Sequence, residues 1–245
     1  SEKLKAHPLK VRIKPDEAEG DFTAAMIRVE KRSPQAAEAL RGMLERRPHL
    51  QDAAPSLCKS YLSIAESFER GGTLFLFGNG GSMADALHIS GELLKSYNLP
   101  RPLQQTRKAR LMKEPDGEFL ANNLENGFRV VALGTNTALN SAIDNDFGER
   151  WLVVAQQLNA LARPGDVFMG ISTSGKAKNI YYAAISARAS GVTTILLTGG
   201  NESQLSEISE ISIHAPAQRT DLVQEEHIAL YHCLCDMLEL DFFAA

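Results

Sequence analysis

A strand, a glycine-rich turn and a helix follow one another directly between Thr73 and Leu94, and this order restricts the fold more than any other feature. Residues 73–77 are largely apolar and predict a buried strand, and a glycine-rich turn occupies 78–82. A helical pattern begins at Met83. Glycines let the backbone approach a ligand closely, and a helix N-terminus favours negative charge. The segment therefore predicts an anion site.

A second turn of this kind follows the apolar strand 167–171, where Ser172, Thr173 and Ser174 precede another helix. A helix cap needs one hydroxyl, whereas a phosphate group needs several donors around its oxygens. Three successive hydroxyls therefore favour a phosphate site over a simple cap. Two anion sites on one sheet predict a protein that holds a small phosphorylated molecule.

The remaining pattern alternates strands with helices. The predicted strands are 73–77, 129–133, 167–171, 193–197 and 211–214, and the predicted helices between and after them are 83–97, 138–143, 149–162, 176–190, 202–208 and 221–240. Such alternation predicts an α/β fold with a doubly wound, parallel five-stranded sheet flanked by helices. Ligands of these sheets bind at the carboxyl ends of the strands, where both turns fall.

The N-terminal region does not share this alternation. Residues 1–50 predict an N-terminal arm and a helical extension, in which 1–20 are extended and Ser33-Pro34 begins a helix. The α/β domain then covers 51–245.

An insertion interrupts the domain at about 98–127. It is rich in prolines, carries basic residues at Arg107, Lys108 and Arg110, and predicts one short helix around 118–125. Loops of this length are usually functional or mobile. We expect the basic residues to form a solvated face rather than a binding patch.

Charge and cysteine content limit the functional classes to which the chain can belong. The net charge of −4 gives no general basic field, so we expect no nucleic-acid partner. The chain has no run of about 20 apolar residues, and we expect no membrane association. Three cysteines (Cys58, Cys233 and Cys235) are sparse and odd in number, which is typical of a reducing compartment. These features predict a cytoplasmic protein.

Two helices carry candidate reactive side chains. His88 and Glu92 are four residues apart and share a helix face, a spacing that suits two ligands of one metal ion but also an ordinary solvated face. On the last helix, Gln224 and His232 lie roughly on one stripe with His227 at its edge. The alternative is a polar flank with a core histidine.

Taken together, these segments resemble the sugar isomerase (SIS) domain and, within it, the phosphoheptose isomerase branch. The resemblance extends over about 50–240, with a break at 98–127. The segments that carry it are Gly78-Asn-Gly-Gly-Ser82, Ala84-Asp85, His88 with Glu92, Asn145-Asp-Phe-Gly148, Gly165–Gly175, Gly191–Gly199, and Gln224-Glu-Glu-His-Ile with His232.

The resemblance implies a flavodoxin-like SIS fold and an aldose–ketose isomerase that converts sedoheptulose 7-phosphate to D-glycero-D-manno-heptose 7-phosphate by enediol proton transfer, for heptose biosynthesis. It implies a homotetramer with active sites between subunits and one zinc ion, or another divalent metal, per site. The implied metal ligands are His88, Glu92, Gln224 and His232, of which Glu92 and His232 also form the acid/base pair. The implied substrate-binding residues are Asn79, Ser82, Asn136, Ser172, Thr173, Ser174, Asp221 and Gln224.

Three positions depart from the family pattern. Ser96 replaces a basic residue, Asn136 an aspartate, and Ala177 the last serine of the phosphate loop. Arg101 or Arg107 of the insertion are candidate substitutes. Two alternatives therefore stay open: an isomerase of another sugar phosphate, and a non-catalytic SIS protein that binds a sugar phosphate or regulates a replication initiator. Retention of the full acid/base and metal set favours an enzyme.

Overall fold

A parallel sheet of five strands forms the centre of the part of the chain that the structure describes. The structure is a computed structural model, and it describes residues 15–244, with side chains for 22–244. The strands are β1 Leu74–Gly78, β2 Val130–Ala132, β3 Val167–Ser172, β4 Thr193–Thr198 and β5 Ile211–His214. Their order across the sheet is β2-β1-β3-β4-β5. The predicted fold class is confirmed.

The chain order of the strands reverses between β1 and β3, which are direct neighbours. Gly78 at the end of β1 pairs with Ile171 near the end of β3. The glycine turn after β1 and the hydroxyl turn after β3 therefore leave the sheet side by side, at the switch point where doubly wound sheets bind ligands.

Eleven helices surround this sheet within the described residues. They are α1 Pro15–Arg32, α2 Pro34–Arg46, α3 Ala54–Glu69, α4 Gly81–Leu94, α5 Gln105–Leu111, α6 Gly117–Asn123, α7 Thr137–Phe147, α8 Val153–Leu161, α9 Lys178–Ala189, α10 Gln204–Ile208 and α11 Thr220–Phe243. Short 3₁₀ turns at Pro48–Ala53 and Arg150–Leu152 precede α3 and α8. None of the described helices is both long and apolar enough to cross a membrane.

Both faces of the sheet are covered, so β1 and β3 are apolar and buried along their whole length. Because successive side chains point to opposite faces, Leu74 and Leu76 join the core beneath α1–α4 and α11. Phe75 and Phe77 join a second core beneath α8 and α9. The layer that contains α4 and α11 positions the candidate site.

The N-terminal extension differs from the prediction in part. Residues 15–20 belong to α1, so the extended conformation predicted for 1–20 is wrong there, and residues 1–14 lie outside the described range. The helix start at Ser33-Pro34 is confirmed, because the Ser33 side chain accepts a hydrogen bond from the Ala36 N–H at 3.1 Å.

The insertion contains two seven-residue helices, α5 and α6, where one was predicted. Its ends approach each other at an antiparallel bridge between Pro102 and Glu125. Arg107 and Arg110 are exposed, as expected for a solvated face.

Several helix boundaries were also predicted incorrectly. α4 ends at Leu94 rather than at 97, because Lys95 adopts an extended conformation. α7 continues past 143 to Phe147, and Gly148 then ends it with a φ of 63°. On α9, Ile180 is buried whereas Ile185 is 43% exposed.

Candidate active site

Helices α4 and α11 bring His88 and Glu92 together with His232, which lies 144 residues beyond His88 in the sequence. One ligand atom from each residue lies within 4.8 Å of the others. His88 Nε2 is 3.0 Å from Glu92 Oε1 and 3.5 Å from His232 Nε2. Glu92 and His232, the acid/base pair that the resemblance implies, therefore lie close together within a single chain.

The chemistry of this cluster fits a divalent cation. Two imidazole nitrogens face each other beside a carboxylate oxygen, and imidazole and carboxylate are ligands that zinc accepts. Burial lowers the pKa of His232, the neighbouring His88 lowers it further, and Glu92 offsets part of the shift. A lowered pKa keeps the His232 ring neutral, so that a nitrogen lone pair is available to a metal ion or a proton.

Three side chains support the cluster from behind. The Tyr231 hydroxyl lies 2.9 Å from His88 Nδ1 and 3.4 Å from Asp85 Oδ1. The Tyr97 ring stacks on His232 with centroids 5.8 Å apart. Burial raises the pKa of Asp85, and the Tyr231 hydrogen bond and His88 oppose that shift. Sequence reasoning assigned no role to these residues, although Asp85 precedes His88 by three positions on one helix face.

Gln224 lies at the other end of α4. Its amide packs against Gly81, where any side chain would overlap it. Seven residues separate Gly81 from His88, which corresponds to about 10 Å along a helix. The structure therefore places Gln224 beside the glycine turn.

The glycine turn itself is tightly constrained. A side chain at Gly78 would overlap the backbone of Ser82, and Gly80 has a φ of 55°. Asn79 exchanges two amide hydrogen bonds with Asn179 of α9, at 3.0 and 2.8 Å. Sequence reasoning missed Asn179, whose contact depends on the β1–β3 pairing.

The hydroxyl turn begins at the buried end of β3. The Ser172 carbonyl accepts a hydrogen bond from the Thr198 hydroxyl at 2.7 Å, which fixes the start of the turn. Ser174 is exposed, and its hydroxyl accepts from the Lys176 N–H at 3.3 Å. Ala177 then precedes α9 without a side-chain cap. The turn thus joins a fixed strand end to an exposed hydroxyl.

Comparison with known proteins agrees with this geometry. The SIS domain family model matches residues 127–199. A phosphoheptose isomerase of Geotalea daltonii is 36% identical over 193 residues, 79% of this chain and 88% of that protein. That of Trichlorobacter lovleyi is 37% identical over 181 residues, 74% and 79% of the two chains. The chain belongs to the phosphoheptose isomerase family.

Solved structures of the family support the same assignment. The phosphoheptose isomerase of Neisseria gonorrhoeae superposes with a TM-score of 0.60 at 26% identity, covering 92% of this chain and 99% of its own. The phosphoheptose isomerase of Francisella tularensis has a TM-score of 0.61 at 23% identity, covering 91% and 95%, and it supports the fold.

Two further residues implied by the family resemblance have local partners. Asn136 caps α7, and its Oδ1 accepts from the Leu139 N–H at 3.0 Å. Asp221 is exposed and accepts two hydrogen bonds from Arg219, at 2.6 and 2.8 Å, which lower the pKa of its carboxyl group. Their roles toward a substrate stay predictions.

Arg101 is not placed to substitute for the basic residue that the family has at the position of Ser96. Its side chain and that of Glu239 on α11 are fully buried, and they pair at 2.7 Å. Arg101 also donates to the carbonyl oxygens of Leu93 and Glu92, at 3.0 and 3.1 Å. Arg101 therefore holds the end of α4 against α11. The expectation that it replaces the family's basic residue in the substrate pocket is wrong.

Proposed function

We propose that this protein is an aldose–ketose isomerase that converts sedoheptulose 7-phosphate to D-glycero-D-manno-heptose 7-phosphate for heptose biosynthesis. The observation that carries the proposal is the convergence of His88, Glu92 and His232 in a chain of the phosphoheptose isomerase family. The paired turns after β1 and β3 leave the same edge of the sheet and supply backbone and hydroxyl donors.

The reaction moves a proton between C1 and C2 of the sugar through an enediol or enediolate. A base removes the proton from C1 of the ketose, the C1–C2 double bond forms, and a proton returns to C2. A second group exchanges protons with the oxygens. Glu92 and His232 are the proposed acid/base pair, because a carboxylate and a neutral imidazole both accept protons and return them. Their convergence at His88 supports this role.

The proposed metal is zinc, held by His88, Glu92 and His232. Gln224, which the resemblance also implies as a ligand, lies beside Gly81 at the start of α4 and not at this cluster. When bound, a divalent ion would polarise the substrate carbonyl and stabilise developing negative charge. The two facing Nε2 atoms and the carboxylate oxygen support this ligand set.

The remaining proposed residues hold the substrate. Ser172, Thr173 and Ser174 would bind the phosphate, and binding remote from the reacting carbons supplies orientation. The proposed sugar contacts are Asn79, Ser82, Asn136, Asp221 and Gln224. The adjacency of the two turns supports one ligand that spans both.

We further propose a cytoplasmic homotetramer with active sites between subunits. All three cysteines are buried and none forms a disulfide within the described residues, which is consistent with a reducing compartment. Leu87 and Leu94 are exposed on α4, the helix that carries His88 and Glu92, so this helix offers apolar surface to another copy.

Glu92→Gln tests the catalytic assignment. The amide keeps the shape but cannot accept the proton, so we expect kcat for sedoheptulose 7-phosphate to fall by about 10²- to 10⁴-fold. Glu45→Gln, an exposed carboxylate on α2, is the control and should keep wild-type turnover. Wild-type turnover in the Glu92→Gln variant would refute the mechanism.

A panel of five- to seven-carbon ketose phosphates tests the substrate assignment with the wild-type protein. Preferential turnover of sedoheptulose 7-phosphate supports it. Preference for another ketose phosphate would show the alternative isomerase, and binding without any turnover would show a non-catalytic SIS protein.

A further inference from the structure

Behind the proposed metal site, a hydrogen-bond chain runs from buried Asp85 through buried Tyr231 to the exposed His88. We propose that Tyr231, held by Asp85, is a positioning residue that selects the His88 tautomer with its proton on Nδ1 and a lone pair on Nε2. The inference rests on the proposed function, because it concerns the same site.

The direction of the chain follows from its proton count. Asp85 Oδ1 accepts a hydrogen bond whether the group is a carboxylate or an acid protonated at Oδ2. The Tyr231 hydroxyl has one proton and lies 3.4 Å from that oxygen, so it donates to Asp85. Its oxygen then accepts from His88 Nδ1 at 2.9 Å. A neutral imidazole with a proton on Nδ1 has its lone pair on Nε2.

That lone pair points to the place where the other ligand atoms converge. Nε2 of His88 lies 3.0 Å from Glu92 Oε1 and 3.5 Å from His232 Nε2. A proton on Nε2 would take up the lone pair that has to bind the metal ion. Partners that fix the tautomer of a ligating histidine therefore affect metal affinity, typically by 10- to 100-fold.

Burial protects the Asp85–Tyr231 hydrogen bond from replacement by solvent. Tyr231 is 2% exposed and Asp85 is 8% exposed. Asp85 Oδ2 has no hydrogen-bond partner among the described residues, so Tyr231 supplies the hydrogen bond that this carboxyl group makes there. Removal of the hydroxyl would therefore leave both Asp85 and His88 Nδ1 without a partner.

The first test measures Zn²⁺ affinity by competition with a chromophoric chelator. Tyr231→Phe removes only the hydroxyl, and we expect it to weaken Zn²⁺ binding by about 10- to 100-fold. Tyr61→Phe is the matched control, because Tyr61 is equally buried but lies on α3, and it should bind Zn²⁺ as wild type does. Zn²⁺ affinity of Tyr231→Phe within twofold of wild type would overturn the proposal.

The second test uses the Zn²⁺-loaded wild-type protein, because Glu92 can only accept and draws a proton to Nε2 when no ion is bound. It holds even if the variant does not fold. Long-range ¹H–¹⁵N spectra of imidazole distinguish the two tautomers, and the His88 signals are assigned by their loss in His88→Gln. We expect the proton on Nδ1, and a proton on Nε2 would overturn the proposal. Neither readout depends on turnover, so failure of the proposed isomerase activity would be seen separately.

Discussion

At the scale of single residues, His227 shows how the fold separates a core histidine from the candidate site. It lies on α11 between Gln224 and His232 in sequence but is fully buried, and neither ring nitrogen has a hydrogen-bond partner within the described part of the chain. Burial lowers its pKa to about 4, and the backbone of Thr198 offsets only part of this shift. The core-histidine alternative is therefore the better interpretation.

This histidine should make stability dependent on pH. In the unfolded chain a histidine binds a proton below about 6.5, whereas folded His227 stays neutral until about pH 4. The unfolded state therefore gains protons first, and His227 should cost about 2 kcal/mol of unfolding free energy between pH 7 and pH 5. Urea denaturation at the two pH values measures this loss.

His227→Leu should reduce that pH-dependent loss by about the same amount. Asn122→Gln, which changes an exposed amide that does not titrate, is the control and should keep the wild-type pH dependence. Equal pH dependence in His227→Leu and wild type would show that His227 is charged in the folded protein.

At the scale of elements, the Arg101–Glu239 pair joins the insertion to both helices of the candidate site. Glu239 accepts from the backbone N–H groups of Tyr97, Asn98 and Leu99, at 2.8, 2.6 and 2.9 Å. Arg101 contacts the last carbonyls of α4 and lies over the ring of Phe128, 5.1 Å from its centroid. One ion pair thus fixes where α4 ends relative to α11.

Arg101→Met should be strongly destabilising, because it leaves Glu239 buried without its cation. Loss of one partner of a buried ion pair costs about 3–5 kcal/mol of unfolding free energy. Arg107→Met, at an exposed position of α5, should change stability by less than about 0.5 kcal/mol. Urea unfolding at pH 7 compares the two, and a loss below about 1 kcal/mol for Arg101→Met would contradict this account.

The same pair explains why some boundaries could not be read from the sequence. β1 and β3 could be predicted because a buried parallel strand is a continuous apolar run. The end of α4 could not, because contacts with Arg101 and Glu239 decide it, and Glu239 lies 138 residues beyond Arg101. α5 and α6 have seven residues each, too few for a clear helical period.

The residues of the candidate site likewise fall into those that the local sequence predicts and those that depend on distant contacts. His88 and Glu92 are four apart on one helix, so their shared face is a local property of the sequence. The approach of His232 spans 144 residues and was expected from the family resemblance. Tyr231 and Asp85 were missed because their hydrogen-bond chain exists only once α4 packs on α11.

At the scale of the whole molecule, two of the exposed apolar residues lie on α4, the helix that carries His88 and Glu92. Leu87 and Leu94 on α4 are 47% and 52% exposed, and they flank His88 and Glu92. An apolar helix segment such as 228–240 is a candidate surface for another subunit. Most of its large apolar side chains are instead buried in the core of the same chain, as at Leu230, Leu234 and Leu238. The surface that supports the proposed assembly is therefore α4.

If α4 forms an interface between copies, a charge at Leu87 should disrupt it. Wild-type protein should have a solution mass about four times the 26.8 kDa of one chain, measured by light scattering after size exclusion. Leu87→Glu should shift the mass to smaller species and reduce turnover, because the charged carboxylate of the new glutamate would have to be buried at an apolar contact. Phe119→Glu, at a more exposed apolar residue of α6, should leave both unchanged.

An intact assembly in Leu87→Glu would place the contact elsewhere, and a wild-type mass of one chain would mean that each candidate site functions without a neighbour.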